Sequence, residues 1–192
     1  ICSNSSVIDP EIRTEKFNPK ETFTIKGVLM YIQILTIENF RSFKNDTTIE
    51  FNDGLNVMVG HNNAGKTTII RALEILFNPN KSKKLSVDDF NKGITTEELY
   101  TKPPTITLKA VLRESENEDR YSDDLVAVSS WLTKLDSPYE ATITYEYYLP
   151  EKEWNNYFQS INAIKTDNPN DFWNNIDHNF LRKYKGRLLV GP

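Results

Sequence analysis

Residues 60–68 read Gly60-His61-Asn62-Asn63-Ala64-Gly65-Lys66-Thr67-Thr68, and the first eight satisfy G-x-x-x-x-G-K-[ST] at every fixed position. No other stretch constrains the fold as strongly. A triphosphate needs several donors converging on one small anion. Gly60 and Gly65 allow a tight backbone turn that points successive N–H groups inward. A helix opening near Lys66 adds its own unsatisfied N–H groups and positive end. Lys66 is expected to reach the β- and γ-phosphates as a point charge. Thr67 is expected to set its hydroxyl on Mg²⁺, and Thr68 to bond the α-phosphate. The pattern therefore implies ATP with Mg²⁺. A chance match in a chain of this length is rarer than about 1%; the competing reading is a glycine turn with an incidental lysine. His61 either contacts phosphate or contributes only its backbone.

The flanking sequence fits a strand–loop–helix unit. Tyr31–Glu38 is rich in Ile, Leu and Thr and reads as a strand. Thr47, Ile49 and Phe51 alternate as a second strand, Asn52-Asp53-Gly54 supplies hairpin turn chemistry, and Leu55, Val57 and Val59 alternate as a third. That third strand is expected at the centre of the sheet, running into the loop. Ile69, Ile70, Leu73, Leu76 and Phe77 recur at helical spacing up to Asn78-Pro79. Residues 81–104 read as a loop with one short turn around Val87–Phe90. Ile106–Leu112 and Ala141–Leu149 alternate as strands, and Leu125, Val128, Leu132 and Leu135 suggest an amphipathic helix between them. Two further amphipathic helices carry Trp154, Phe158, Ile161 and Ile164, then Phe172, Trp173, Ile176, Phe180 and Tyr184. Arg187–Val190 reads as a final strand.

Composition narrows the class. With 38% hydrophobic and 26% charged residues, the chain suits a soluble globular protein, and no run of about 18 apolar residues could span a bilayer. The net charge of −4 gives no support for a broad nucleic-acid footprint, although a local basic patch remains compatible with it. A single cysteine, Cys2, fits a reducing, cytoplasmic compartment, and Cys2, His61 and His178 make no metal-ligand cluster. Residues 1–29 hold Pro10, Pro19 and scattered charge with little periodicity. They are expected to be a disordered or non-native extension, with Met30 a candidate translation start; a genuine N-terminal arm is the alternative.

Two segments carry a resemblance. LTIENFRSF at Leu35–Phe43, and GLNVMVGHNNAGKTTIIRALEILF at Gly54–Phe77, resemble the N-terminal ATPase lobe of the ABC-type chromosome-maintenance ATPases, which include RecF, the SMC proteins and the double-strand-break repair ATPases. The Asn-Asn-Ala-Gly-Lys-Thr loop and the SVDDF segment at Ser86–Phe90 are most similar to the OLD (overcoming lysogenization defect) family, in which an ABC ATPase is followed by a Toprim nuclease domain. The resemblance covers about Met30–Phe90. It implies an α/β P-loop NTPase fold: an ABC-ATPase-like N-terminal lobe with a mixed sheet, a hairpin before the Walker A loop, and added helices. It also implies that Arg41 and Ser42 approach the nucleotide from the first strand, and that Asn62 and Asn63 lie near the γ-phosphate. Asp88 and Asp89 are either a subunit-facing acidic pair or a turn cap. In a full-length protein it implies a homodimer or higher oligomer, contact with DNA, and a role in DNA maintenance or phage defence.

The sequence also departs from a complete enzyme of that kind. After Thr68 there is no apolar run ending in Asp-Glu, no LSGGQ-like segment and no carboxylate cluster of Toprim type. Gln159, the only later glutamine, falls in a helical pattern. Residues 30–192 thus read as a partial ATPase domain that stops before Walker B, with no catalytic residue assigned. Two other readings compete. One is a nucleotide-dependent interaction module without hydrolysis. The other, a P-loop kinase or GTPase, is disfavoured by the hairpin before the loop and by the lack of an Asn-Lys-x-Asp segment.

Overall fold

The computed structural model describes residues 23–25, 28–61, 64–78, 84–115, 132–134, 138–165 and 168–191. Among the described residues, seven strands form one sheet: β1 (Phe23–Ile25), β2 (Val28–Glu38), β3 (Thr47–Glu50), β4 (Ile106–Glu114), β5 (Leu132–Lys134), β6 (Glu140–Tyr148) and β7 (Lys185–Val190). Four α-helices among the described residues accompany them: α1 (Lys66–Phe77), α2 (Thr96–Thr101), α3 (Trp154–Asn162) and α4 (Pro169–Asn175). The path runs β1–β2–β4–β6–β5, with β3 also on β2 and β7 also on β6.

Alternation explains the three long strands. In β4, Ile106, Leu108, Ala110 and Leu112 are buried while Lys109 is exposed. Register carries this apolar face across the sheet: Ile37 pairs with Leu108, Leu108 with Tyr145, and Tyr145 with Leu188. Helix α1 packs on β4 and β6 with Thr68, Ile69, Ala72, Ile75 and Leu76, a stripe at i, i+3/i+4 spacing. Phe90, Tyr147, Trp173 and Tyr184 join the same core, with Phe90 at 5.4 to 5.9 Å from the other three rings.

Four expectations need correction. Leu55–Val59 forms no strand: it pairs with no described residue, and Leu55, Val57 and Val59 are 84%, 74% and 91% exposed. The expected hairpin is closed differently. Gly54 takes φ +107°, and the Asn56 side chain accepts from Asn52 N–H and donates to the Asn52 and Gly54 carbonyls, at 2.8 to 3.1 Å. Asn56 thus closes a local loop, where a ladder would need the next residues to lie beside β3. Second, every strand pair among the described residues is antiparallel, whereas a mixed sheet was expected. Third, the stretch read as a loop contains α2, started by a capping box between Thr95 and Glu98. Fourth, Leu132–Lys134, expected at the end of a helix, pairs with β6; most of that expected helix lies outside the described residues.

At the N-terminus, β1 pairs with β2, and β2 begins at Val28, so part of the stretch expected to be an extension is in the sheet. Residues 1–22 and 26–27 lie outside the described residues.

Candidate functional site

The glycine loop leads directly into α1. Gly60, His61, Ala64 and Gly65 lie outside any helix or strand, and the helix opens at Lys66; Asn62 and Asn63 lie outside the described residues. Gly65 takes the left-handed φ of +84°. A Cβ there would sit 2.7 Å from Phe43 Cζ and 3.3 Å from Ser42 Oγ, so the position requires glycine for both conformation and space. A Cβ on Gly60 would come within 3.3 Å of the Ala64 Cβ.

The N-terminus of α1 is open. No side chain caps it, and its first turn carries no acidic residue. The first helical bond runs from Ile69 N–H to Gly65 O at 3.0 Å, leaving the N–H groups of Lys66, Thr67 and Thr68 without a helical acceptor. Lys66 arches back over the loop, its Nζ donating to Gly60 O at 2.6 Å and His61 O at 2.7 Å. This holds the ammonium over the start of the loop that leads into α1. Thr67 is exposed and Thr68 is buried. These groups fit a phosphate chain: clustered N–H donors, one ammonium, an accessible hydroxyl for a cation, and no carboxylate in the first helical turn.

The turn after β2 braces this mouth. Ser42 Oγ donates to Thr68 Oγ1 at 3.2 Å, and the Phe43 ring abuts Gly65. Arg41 Nε donates to Asp89 Oδ1 at 2.8 Å. The structure thus brings Arg41 and Ser42 to the same corner as Lys66–Thr68. Asp89 caps the 3-10 turn Val87–Asp89, its Oδ2 accepting from Ser86 N–H at 2.9 Å and Ser86 Oγ at 3.2 Å. Asp88 is exposed and lies 3.5 Å from Lys92. Lys44 pairs with Glu98 at 2.9 Å, and this bond, with the Thr95 backbone N–H second, holds the Glu98 carboxyl below its ordinary range. Sequence reasoning missed Asn91, whose Nδ2 donates to the Arg41 carbonyl at 2.6 Å; nothing in its neighbourhood signals that partner. Among the described residues, no group of three or more His, Cys, Asp or Glu could hold a metal, and no helix is long and apolar enough to cross a membrane.

Residues 30–188 match the AAA ATPase domain family. The chain belongs to that family. Shorter segments are similar to ATPases of chromosome maintenance. The structural maintenance of chromosomes protein 3 homolog of Plasmodium falciparum is 45% identical over 47 residues, 24% of this chain and 4% of that protein. The DNA double-strand break repair Rad50 ATPase of Thermococcus kodakarensis is 41% identical over 64 residues, 33% of this chain and 7% of the relative. The DNA replication and repair protein RecF of Mannheimia succiniciproducens is 33% identical over 89 residues, 46% of this chain and 22% of the relative. The matches thus span less than a quarter of each relative's length. The likeness to SMC, Rad50 and RecF proteins expected from LTIENFRSF and the glycine loop is borne out at this level.

Proposed function

We propose that this AAA ATPase domain is the ATP-binding lobe of an OLD-like or RecF-like ABC-type ATPase that serves DNA maintenance or phage defence in the cytoplasm. The observation that carries the reading is the open N-terminus of α1, with Lys66 drawn over the loop that leads into it and three N–H groups lacking a helical acceptor. On this reading Lys66 turns from the Gly60 and His61 carbonyls to the β- and γ-phosphates. The backbone of Gly60, Ala64 and Gly65 lines the phosphates, Asn62 and Asn63 lie at the γ-phosphate, and Arg41 and Ser42 close the site from the β2 side. Thr67 holds Mg²⁺ and Thr68 bonds the α-phosphate. Bound Mg²⁺ would supply neutralisation of the phosphate charge.

The exposed run Leu55–Val59 supports a lobe that belongs to a larger body. It alternates like a strand yet leaves its apolar side chains in solvent, and the matched relatives are far longer than this chain. The rest of the full-length protein would pair with this run and supply a Walker B carboxylate. It would also form the homodimer or higher oligomer, contact DNA and, on the OLD likeness, add a Toprim nuclease domain. A second reading, a nucleotide-dependent interaction module that does not hydrolyse, is favoured by the missing Asp-Glu segment.

Calorimetric titration with Mg-ATP tests the site. Lys66→Ala is expected to abolish measurable binding while leaving the melting transition nearly in place, because among the described residues its ammonium makes two hydrogen bonds, both to loop carbonyls at an exposed mouth. Unchanged affinity in the variant rejects the assignment.

A further inference from the structure

The corner beside the phosphate loop contains an unusual backbone. Asn39 and Arg41 are the two non-glycine residues with positive φ among the described residues, at 54° and 49°. Such conformations persist where neighbours over-determine them. Arg41 is held at three points by one short segment. Its N–H donates to Asp89 O at 2.8 Å, its carbonyl accepts from Asn91 Nδ2 at 2.6 Å, and its Nε donates to Asp89 Oδ1 at 2.8 Å. The next two residues touch the mouth of α1, Ser42 through Thr68 and Phe43 through Gly65.

How Asp89 grips Arg41 matters. An arginine serving only as an ion-pair partner can present two parallel N–H groups to its carboxylate. Here the hydrogen bond to the carboxylate comes from Nε alone, and no described residue hydrogen-bonds to the two Nη groups. The carboxylate is itself fixed: Ser86 N–H and Oγ occupy Oδ2, and the side chain is only 11% exposed. The arginine side chain keeps 37% exposure. One side of the guanidinium is therefore anchored to a rigid group while its forked end stays open, a geometry suited to two oxygens of one phosphate.

We infer that Asp89 is a positioning residue for Arg41: it fixes the guanidinium by Nε so that both Nη groups are offered as a fork to a phosphate of the bound nucleotide. This rests on the reading of Gly60–Thr68 as an ATP site. Asp89 itself does not touch the nucleotide. The SVDDF segment thereby acquires a role in the site, although it begins 18 residues beyond Thr68. Lysine would not reproduce the arrangement, because its compact ammonium has no second nitrogen to stay on Asp89 while a planar fork meets two phosphate oxygens.

The test is Mg-ATP titration calorimetry on the chain, with thermal melts of every variant. Arg41→Ala is expected to weaken binding about 10- to 100-fold, the range for a charge-assisted contact. Arg41→Lys should lose most of that despite keeping its charge. Asp89→Asn should weaken binding about 5- to 10-fold in the parent, yet less than about 2-fold in the Arg41→Ala background, since a positioning effect vanishes with the group positioned. An equal loss in both backgrounds would mean that Asp89 acts only by supporting the fold, and overturns the inference. So would an Arg41→Lys variant that binds like the parent, a result that stands even if Asp89→Asn fails to fold. If Lys66→Ala leaves binding unchanged, it is the ATP site itself that fails. If Lys66→Ala abolishes binding and Arg41→Ala is silent, the site stands and only the role of Arg41 and Asp89 falls.

Discussion

Gly65→Ala tests the joint between the phosphate loop and the β2 turn. Two costs follow from the geometry at this glycine. The φ of +84° places an L-residue in the left-handed region, which costs about 1–2 kcal/mol. The new Cβ would lie 2.7 Å from Phe43 Cζ, and relieving such a clash in a packed setting costs about 1–3 kcal/mol. Together they give about 2–5 kcal/mol, or a fall in melting temperature of about 5–15 °C for a chain of this size. Urea denaturation followed by circular dichroism measures the loss directly. Phe43→Leu separates the two costs, because it removes the far edge of the ring but leaves the backbone angle. In that background Gly65→Ala should cost only the conformational part, about 1–2 kcal/mol. A Gly65→Ala variant within about 0.5 kcal/mol of the parent, the scatter of neutral surface changes, would refute both the left-handed assignment and the close approach of Phe43.

Other outcomes follow from the same structure. Burial pushes the Tyr145 hydroxyl up to about 12, with neighbouring Tyr147 adding to it, and burial also raises Tyr147, Tyr157 and Tyr184. The folded state favours the neutral phenol, so this stability is intact below the unfolded value of about 10 and is lost as pH climbs toward 12; urea midpoints that stay flat across that window would contradict it. The triple variant Leu55→Ser, Val57→Thr and Val59→Thr should change stability by no more than about 0.5 kcal/mol per site and reduce self-association in light scattering, whereas a large loss would show that these side chains are buried. Steady-state phosphate release by the chain alone should be negligible, since losing a positioned base costs about 10²–10⁴ in rate. Turnover near about 1 s⁻¹ would point to an unrecognised catalytic carboxylate.

Much of the architecture was legible because it depends on local pattern. The alternation in Ile106–Leu112 and Ala141–Leu149, and the helical stripe after the loop, reappear as β4, β6 and α1, although Ile70, read on the helix's apolar face, is 46% exposed while Ala72 and Ile75 are buried. Helix α2 was missed: Thr95 and Glu98 stand at capping-box spacing, but its six residues carry too little periodicity to announce a helix. The corner around Arg41 was not legible in geometry. Positive φ at Asn39 and Arg41 is imposed by partners about fifty residues away, Asp89 and Asn91, and no local preference of an arginine encodes it. The acidic pair divides as only a structure could divide it: Asp89 faces inward onto Ser86 and Arg41, while Asp88 faces solvent beside Lys92.

The failure at Leu55–Val59 is of another kind. Alternating apolar residues report that a segment suits a pleated, flanked position; they do not supply the neighbour. A strand exists by its ladder, and β3 already fills the edge of β2 at Ile34–Ile37, while β4 fills the other edge. Phe51 N–H still reaches Gln33 O at 2.8 Å, and from there the chain leaves the sheet. The loop that Asn56 closes then turns Leu55–Val59 away from the only sheet the described residues build. Three exposed aliphatic side chains within five residues, ending at Gly60, are costly for a surface with no partner. The same run delivers the backbone to the phosphate loop, so whatever covers it also stiffens the approach to Gly60. Nucleotide affinity should therefore rise when that surface is covered. On the proposal that a full-length protein covers this run, nucleotide titration of that protein against these 192 residues would measure the coupling, and equal affinity in the two would remove it.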